Sequence, residues 1–198
     1  ITSKTGSTAA GPEALARGMT APPIGPATVT KTSFLLMGAR EKRRGGGQPT
    51  EAEIAAARAF DVYSVNVYNY QVPAERVQEI SRLTKKPIII GEFHFGAPGR
   101  GLEAGLVEVR DQEQRGVAYR YYVEQAFAMP ELIGTHYFQW ADQPSTGRGD
   151  GEAGNIGLVD VTDRPYPLMV EALKASHARL HDVHAGKLPP FEQEAARN

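Results

Sequence analysis

Glu92 closes the run PIIIGEFHFG, residues 87–96, in which β-branched side chains lead to a lone carboxylate. A carboxylate in that position can attack an electrophile, exchange a proton or hold a hydroxyl, depending on what its neighbours donate. Apolar residues followed by Gly and Glu fit a buried parallel strand with the acid at its C-terminal edge. In an α/β barrel the chemistry sits at that edge. The plain alternative is a strand-end Glu held by an Arg. Two further runs offer partners. DVYSVNVY, residues 61–68, alternates, placing Val62, Val65 and Val67 largely in an outer, helix-facing set and Ser64, Asn66 and Tyr68 toward the axis. GTHYFQW, residues 134–140, puts His136, Phe138 and Trp140 on one face, and alternation gives Ile88, Ile90 and Glu92 a common face. A Trp beside an acid, with Asn, Tyr and His near, suits a sugar. The indole stacks on the apolar face of a pyranose while polar groups fix its hydroxyls. Each residue has a bland alternative: His136 a satisfied core histidine, Trp140 a plug at the barrel end, Tyr68 a packing aromatic. Their convergence beside an acid favours the site.

The elements that must carry these residues follow in order. Phe34 to Met37 is a short strand candidate, and Thr50 with Glu53 forms a capping box before the helix IAAARAF. Pro73 opens a helix with Val77, Ile80 and Leu83 at helical spacing. Asp111 and Gln114 form a capping pair for a long helix reaching Met129, and Asp163 is expected to cap a last helix with Pro165 near its start. The apolar stripe of that last helix is Tyr166, Met169, Val170, Leu173, His177 and Leu180. Strand and helix thus alternate four times, which predicts a parallel sheet with covering helices. Four units are half of a (β/α)8 TIM-type barrel, whose full length is typically about 250 residues. An open doubly wound sheet fits less well, because no Gly-rich dinucleotide fingerprint follows a strand.

Three segments make up the chain. Residues 1–33 read as a linker or loosely packed arm, broken by Pro22, Pro23 and Pro26. Residues 34–184 are the half-barrel, and 185–198 a polar tail expected to fray. The Gly-rich loop EKRRGGGQ, residues 41–48, lacks the Walker Lys-Ser/Thr and reads as a plain loop. A formal net charge of −1 over 198 residues offers no basic face for nucleic acid. Without Cys there is neither disulfide nor thiolate metal site. No run approaches membrane-spanning length, and no signal peptide is seen. Ile1 in place of Met marks a processed, trimmed or partial chain.

GEFHFG, GTHYFQWADQPSTGRGDGE and IGLVDVTDRPYP together resemble the C-terminal half of the β-agarases of glycoside hydrolase family 50, from about Phe34 to His177. The resemblance implies a retaining hydrolase of the (β/α)8 clan acting on agarose-type galactans, without cofactor or metal, in an extracellular or periplasmic setting. It maps the nucleophile onto Glu92, the tyrosine that hydrogen-bonds it onto Tyr68, and an aromatic platform onto Trp140. Asn66, His94 and His136 join as substrate-side candidates, as do Asp142, Gln143, Arg148 and Glu152 of the loop that also carries Asp150. Two departures stand out. Where the family continues Asp-Gly-Glu with Asn-Tyr, this chain has Ala153 and Gly154. A retaining glycosidase needs a second carboxyl about 5 Å from the nucleophile. The clan draws it from an Asn-Glu pair, and no such pair occurs here. Glu103, Glu108, Glu113 and Glu152 lie in loops or at a helix start. Three expectations follow: a hydrolase whose other half lies outside these residues, a non-catalytic galactan-binding remnant, or a half-barrel assembly module. An open half-barrel also predicts self-association or docking to the missing half.

Overall fold

The computed structural model describes the strand at residues 34–37 and residues 49–198. The arm over 1–33 and the basic loop over 41–48 lie outside the described residues. Four strands and five helices follow in order: β1 (Phe34–Met37), α1 (Glu51–Ala57), β2 (Val62–Asn66), α2 (Ala74–Thr84), β3 (Ile88–Phe93), α3 (Gln112–Phe127), β4 (Leu132–Tyr137), α4 (Pro167–His177) and α5 (Leu180–His184). The sheet order is β1-β2-β3-β4, every pair parallel, so β1 and β4 are its edges among the described residues. The predicted alternation is therefore present as an α/β parallel sheet with its helices packed on one side.

Local chemistry accounts for several boundaries. Thr50 accepts from the Glu53 amide while Glu53 accepts from the Thr50 amide, the capping box expected. Asp111 accepts from the Gln114 amide at 2.9 Å and starts α3. Lys85 ends α2 in the left-handed conformation. The expected cap at Asp163 is not there. Asp163 sits at φ 60° in a turn gathered by Asp160, and α4 begins at Pro167 behind Tyr166. Pro167, not Pro165, takes the first helical turn, because a missing N–H costs nothing there.

The core lies between the sheet and the helices. Ile88, Ile90, Phe93 and Leu132 pack with Val77, Ile80, Tyr119, Tyr122 and Val123, all buried. Each large apolar side chain so buried contributes roughly 2 kcal/mol. Phe93 stacks on Tyr122 with centroids 4.6 Å apart and planes 12° from parallel.

Two sequence expectations about faces are corrected. Tyr63, Val65 and Val67 form the helix-facing set of β2, whereas Val62 is buried but outside that core. On β3, Val65 pairs with Ile90 but Asn66 pairs with Glu92, so Gly91 is an extra residue and the parity flips. Ile88 and Ile90 face the helices, while Glu92 joins Asn66 on the opposite face. The bulge lets a largely buried strand deliver a carboxylate out of its core.

The tail is the third correction. Residues beyond His184 do not fray but run back along α3. The Phe191 backbone amide donates to Glu124 at 3.0 Å, the Ala196 backbone amide to Gln114 at 2.8 Å, and Gln125 Nε2 to the Phe191 carbonyl at 3.2 Å. Arg120 lies over the Phe191 ring and Arg197 over Tyr70, at 4.1 and 3.9 Å from their centroids.

Candidate active site

Tyr68 lies just beyond β2 and Glu92 near the end of β3, on the face opposite the helices. The Tyr68 hydroxyl donates to Glu92 Oε2 at 2.6 Å. The length is that of a charge-assisted bond. Among the described residues it is the sole hydrogen bond to the Glu92 side chain, which is half-buried. Burial, the bond to Glu92 and the charges of Glu92 and Glu152 hold the Tyr68 hydroxyl far above its usual range, with Arg148 opposing. Tyr68 is therefore a fixed donor at any physiological pH.

Helix α3 sets these strand ends. The Tyr122 hydroxyl donates to the Val67 carbonyl at 3.0 Å, and the Val67 amide donates to the Glu92 carbonyl at 2.9 Å. About two turns earlier on the same helix, Arg115 is wholly buried. Its Nε reaches the Phe95 carbonyl at 2.9 Å and its Nη2 the Gly157 carbonyl at 2.6 Å. The guanidinium thereby ties the loop after β3 to the loop after β4. No carboxylate of the described residues pairs with it. Gly157 is also held from the other side, its amide donating to Asp142 Oδ1 at 2.7 Å. A Cβ at Gly157 would come within 2.2 Å of the Asp142 nitrogen, so no other residue fits.

The sequence candidates divide into those that face the open side and those the fold consumes. Asn66 pairs in register with Glu92, and its Oδ1 is buried without a partner among the described residues. His136 is exposed near the end of β4, and Trp140 is 68% exposed just past it. Arg148 donates to Asp150 at 2.6 Å, approaches Glu152 at 3.8 Å, and its guanidinium lies over Phe138 at 5.7 Å. Glu152 accepts from Gln143 Nε2 at 2.9 Å.

Three candidates are not on the open side. Asp142 is buried and accepts from the Gly157 amide, from Asn155 Nδ2 at 2.8 Å and from the Tyr166 hydroxyl at 2.6 Å. Its oxygens are used within the loop. Burial, followed by the bond to Asp142, pushes the Tyr166 hydroxyl up to about 12. Gln143 is also buried; its Oε1 accepts from the Gly154 amide at 2.6 Å and its amide holds Glu152. A Cβ at Gly154 would stand 3.0 Å from that Gln143 oxygen, so a larger residue there would press on the pair. His94 is 3% exposed, with its ring 4.8 Å from that of Tyr68. Its Nε2 accepts from the Leu106 amide at 2.9 Å, so a neutral ring carries its proton on Nδ1. Burial pushes the imidazole down to about 4, the Phe138 carbonyl opposing and the Arg115 charge adding to the drop.

Sequence reasoning missed Arg115, Asn155 and Tyr166. A signal for Arg115 was available. It lies at helical spacing with Ala118, Tyr119, Tyr122 and Ala126, all buried on the core side of α3. A lone Arg on such a stripe marks a buried guanidinium.

No protein-family model matches the chain. Over 158 residues it is 35% identical to β-agarase A of Vibrio sp. (strain JT0107), covering 76% of this chain and 16% of that protein. Over 132 residues it is 40% identical to β-agarase B of the same strain, covering 65% of this chain and 14% of that protein. A solved exo-β-agarase superposes with a TM-score of 0.66 at 42% identity, over 71% of this chain and 19% of its own. The chain thus spans only a small part of each relative it matches.

Proposed function

We propose that this chain, a β-agarase-like protein of glycoside hydrolase family 50, supplies the nucleophile side of a retaining β-galactosidase site for agarose-type galactans. The observation that carries the reading is the 2.6 Å bond from Tyr68 to Glu92 on the open face of the sheet. A carboxylate with one fixed donor and otherwise unoccupied oxygens suits attack on an anomeric carbon. One Glu92 oxygen forms the bond to that carbon as the bond to the leaving oxygen breaks, and water later releases the sugar. Tyr68 stays protonated throughout and steadies the carboxylate left behind on release. Trp140, being exposed, offers its face to a pyranose, with Asn66, His136 and the Arg148–Glu152 loop as polar contacts.

The leaving oxygen needs a proton, and the acid that gives it is assigned to a segment outside these residues. Glu152 is an alternative among the described residues, its charge being felt by Tyr68. The sheet edges at β1 and β4 are assigned to that missing half, which would complete a (β/α)8 barrel around the open face. The absence of an Asn-Glu pair supports a second reading, a galactan-binding half without hydrolysis. The two part company on one experiment. With an agarase N-terminal half-barrel supplied, agaro-oligosaccharide is hydrolysed, and Glu92→Gln keeps binding while hydrolysis falls by orders of magnitude. Equal binding with no hydrolysis by either protein would favour the second reading.

A further inference from the structure

We infer that His94 is a positioning residue of this site, a neutral imidazole locked by the Leu106 amide that holds the Tyr68 ring where its hydroxyl meets Glu92. The inference rests on the reading of Glu92 as the reactive carboxylate for its consequence, but not for its geometry. Three observations carry it. The imidazole is buried and tilted against Tyr68 at 4.8 Å, so it forms one wall of the tyrosine's pocket. Its Nε2 is occupied by the Leu106 amide at 2.9 Å, so that nitrogen has no lone pair to offer a sugar. The loop passes close to it at Gly105, which has φ +74° and whose added Cβ would stand 2.8 Å from Nε2 and 2.7 Å from Ile156 Cγ2. A left-handed glycine is thus needed both for the turn and for the close approach.

These contacts form a short chain from the loop after β3 to the reactive acid. The Leu106 amide fixes the imidazole, the imidazole fixes the phenol, and the phenol donates to the carboxylate. The inference predicts that a residue of the loop after β3 governs the one donor that the described residues give Glu92. The charged or titratable groups whose fields reach the Tyr68 hydroxyl are Glu92, Glu152 and Arg148. None of them lies in that loop, so a change at residue 105 leaves the charges around Tyr68 in place.

The test uses the full 198-residue chain with tyrosine labelled at Cζ, the Tyr68 resonance being assigned by its loss in Tyr68→Phe. In the parent chain that carbon shows no ionisation from pH 7 to about 11, against an ordinary tyrosine midpoint of about 10. His94→Gln keeps an acceptor for the Leu106 amide but removes the ring. It should bring the Tyr68 midpoint below about pH 11, into the range where the parent shows no ionisation, as the phenol loosens from Glu92. Gly105→Ala acts on the same contact from the loop and should move the midpoint in the same direction by less. Amide spectra that superimpose elsewhere establish that both variants are folded. A folded His94→Gln whose Tyr68 carbon follows the parent curve would overturn the inference, leaving His94 as core packing. So would a parent chain in which Tyr68 ionises near 10. Neither result bears on whether Glu92 attacks a sugar, which hydrolysis by Glu92→Gln reads independently.

Discussion

Glu92 and Glu124 sit on opposite sides of the same sheet-and-helix body, and their surroundings are opposite. Glu124 has no exposure, and all of its acceptor capacity is used. Arg120 and Ser176 donate to one oxygen at 3.2 and 2.9 Å, and Arg179 and the Phe191 amide to the other at 3.1 and 3.0 Å. It gathers α3, α4, the turn into α5 and the tail at one point. Glu92 accepts from Tyr68 alone among the described residues. A carboxylate buried and saturated is committed to the fold, since its donors would be stranded without it. A carboxylate with one rigid donor among the described residues is far less committed to the fold. That difference separates function from structure here more sharply than either residue's neighbours in the sequence.

The largest effect expected from this contrast is on chemistry. Glu92→Gln should cost several orders of magnitude in hydrolysis by the completed barrel while shifting the urea midpoint little, because only one hydrogen bond is altered. Glu124→Ala should do the reverse. Loss of the shared partner removes the acceptor common to Arg120, Ser176, Arg179 and the Phe191 amide and should destabilise the chain by about 3 kcal/mol. Urea unfolding reads that loss, and proteolysis of residues 186–198 should quicken as the tail comes free. If the two variants destabilise equally, the contrast fails.

The next effect concerns pH. His94 is held at about 4 in the fold by burial, against about 6.5 for an unfolded histidine. Between those values the unfolded chain binds a proton that the folded chain refuses. Stability should therefore fall as pH drops from about 6.5 to about 4, by an amount on the order of 3 kcal/mol. In His94→Gln that decline should flatten. A parent chain equally stable at both ends would show that the ring is wetter than its burial implies.

The smallest effect sharpens the Glu92 side. Tyr68→Phe removes a bond to a charged acceptor, worth about 1.5 to 3 kcal/mol. Hydrolysis by the completed barrel should fall roughly 10- to 100-fold on that basis. A larger loss than in Glu92→Gln would exchange their roles.

The site was legible in the sequence where it depends on residue type, and less so where it depends on register. Alternation in DVYSVNVY placed Asn66 and Tyr68 toward Glu92, and the structure joins Tyr68 to it. The same alternation put Ile88 and Ile90 on the face of Glu92, because a one-residue bulge at Gly91 leaves no mark beyond a glycine. Asp142, Gln143 and His94 have the residue types of ligand contacts, yet each is consumed by backbone amides that only the folded loops bring near. The tail read as polar and loose because its partners, Gln114, Glu124 and Gln125, are far off in sequence and lie on a helix otherwise rich in tyrosine. The four-fold alternation of strand and helix survived intact, since it rests on period alone.

The central claim is that Glu92 attacks, and covalent trapping tests it without a proton donor to the leaving group. An aryl glycoside with a good leaving group departs without protonation, and a 2-fluoro substituent slows release of the bound sugar. After incubation of the folded chain with a dinitrophenyl 2-deoxy-2-fluoro-β-galactoside, intact mass spectrometry should show one added fluorogalactosyl group. Peptide mapping should place it on the fragment containing Glu92, and Glu92→Gln should carry none. A folded parent chain that gains no mass, or one labelled instead at Glu152, would contradict the assignment.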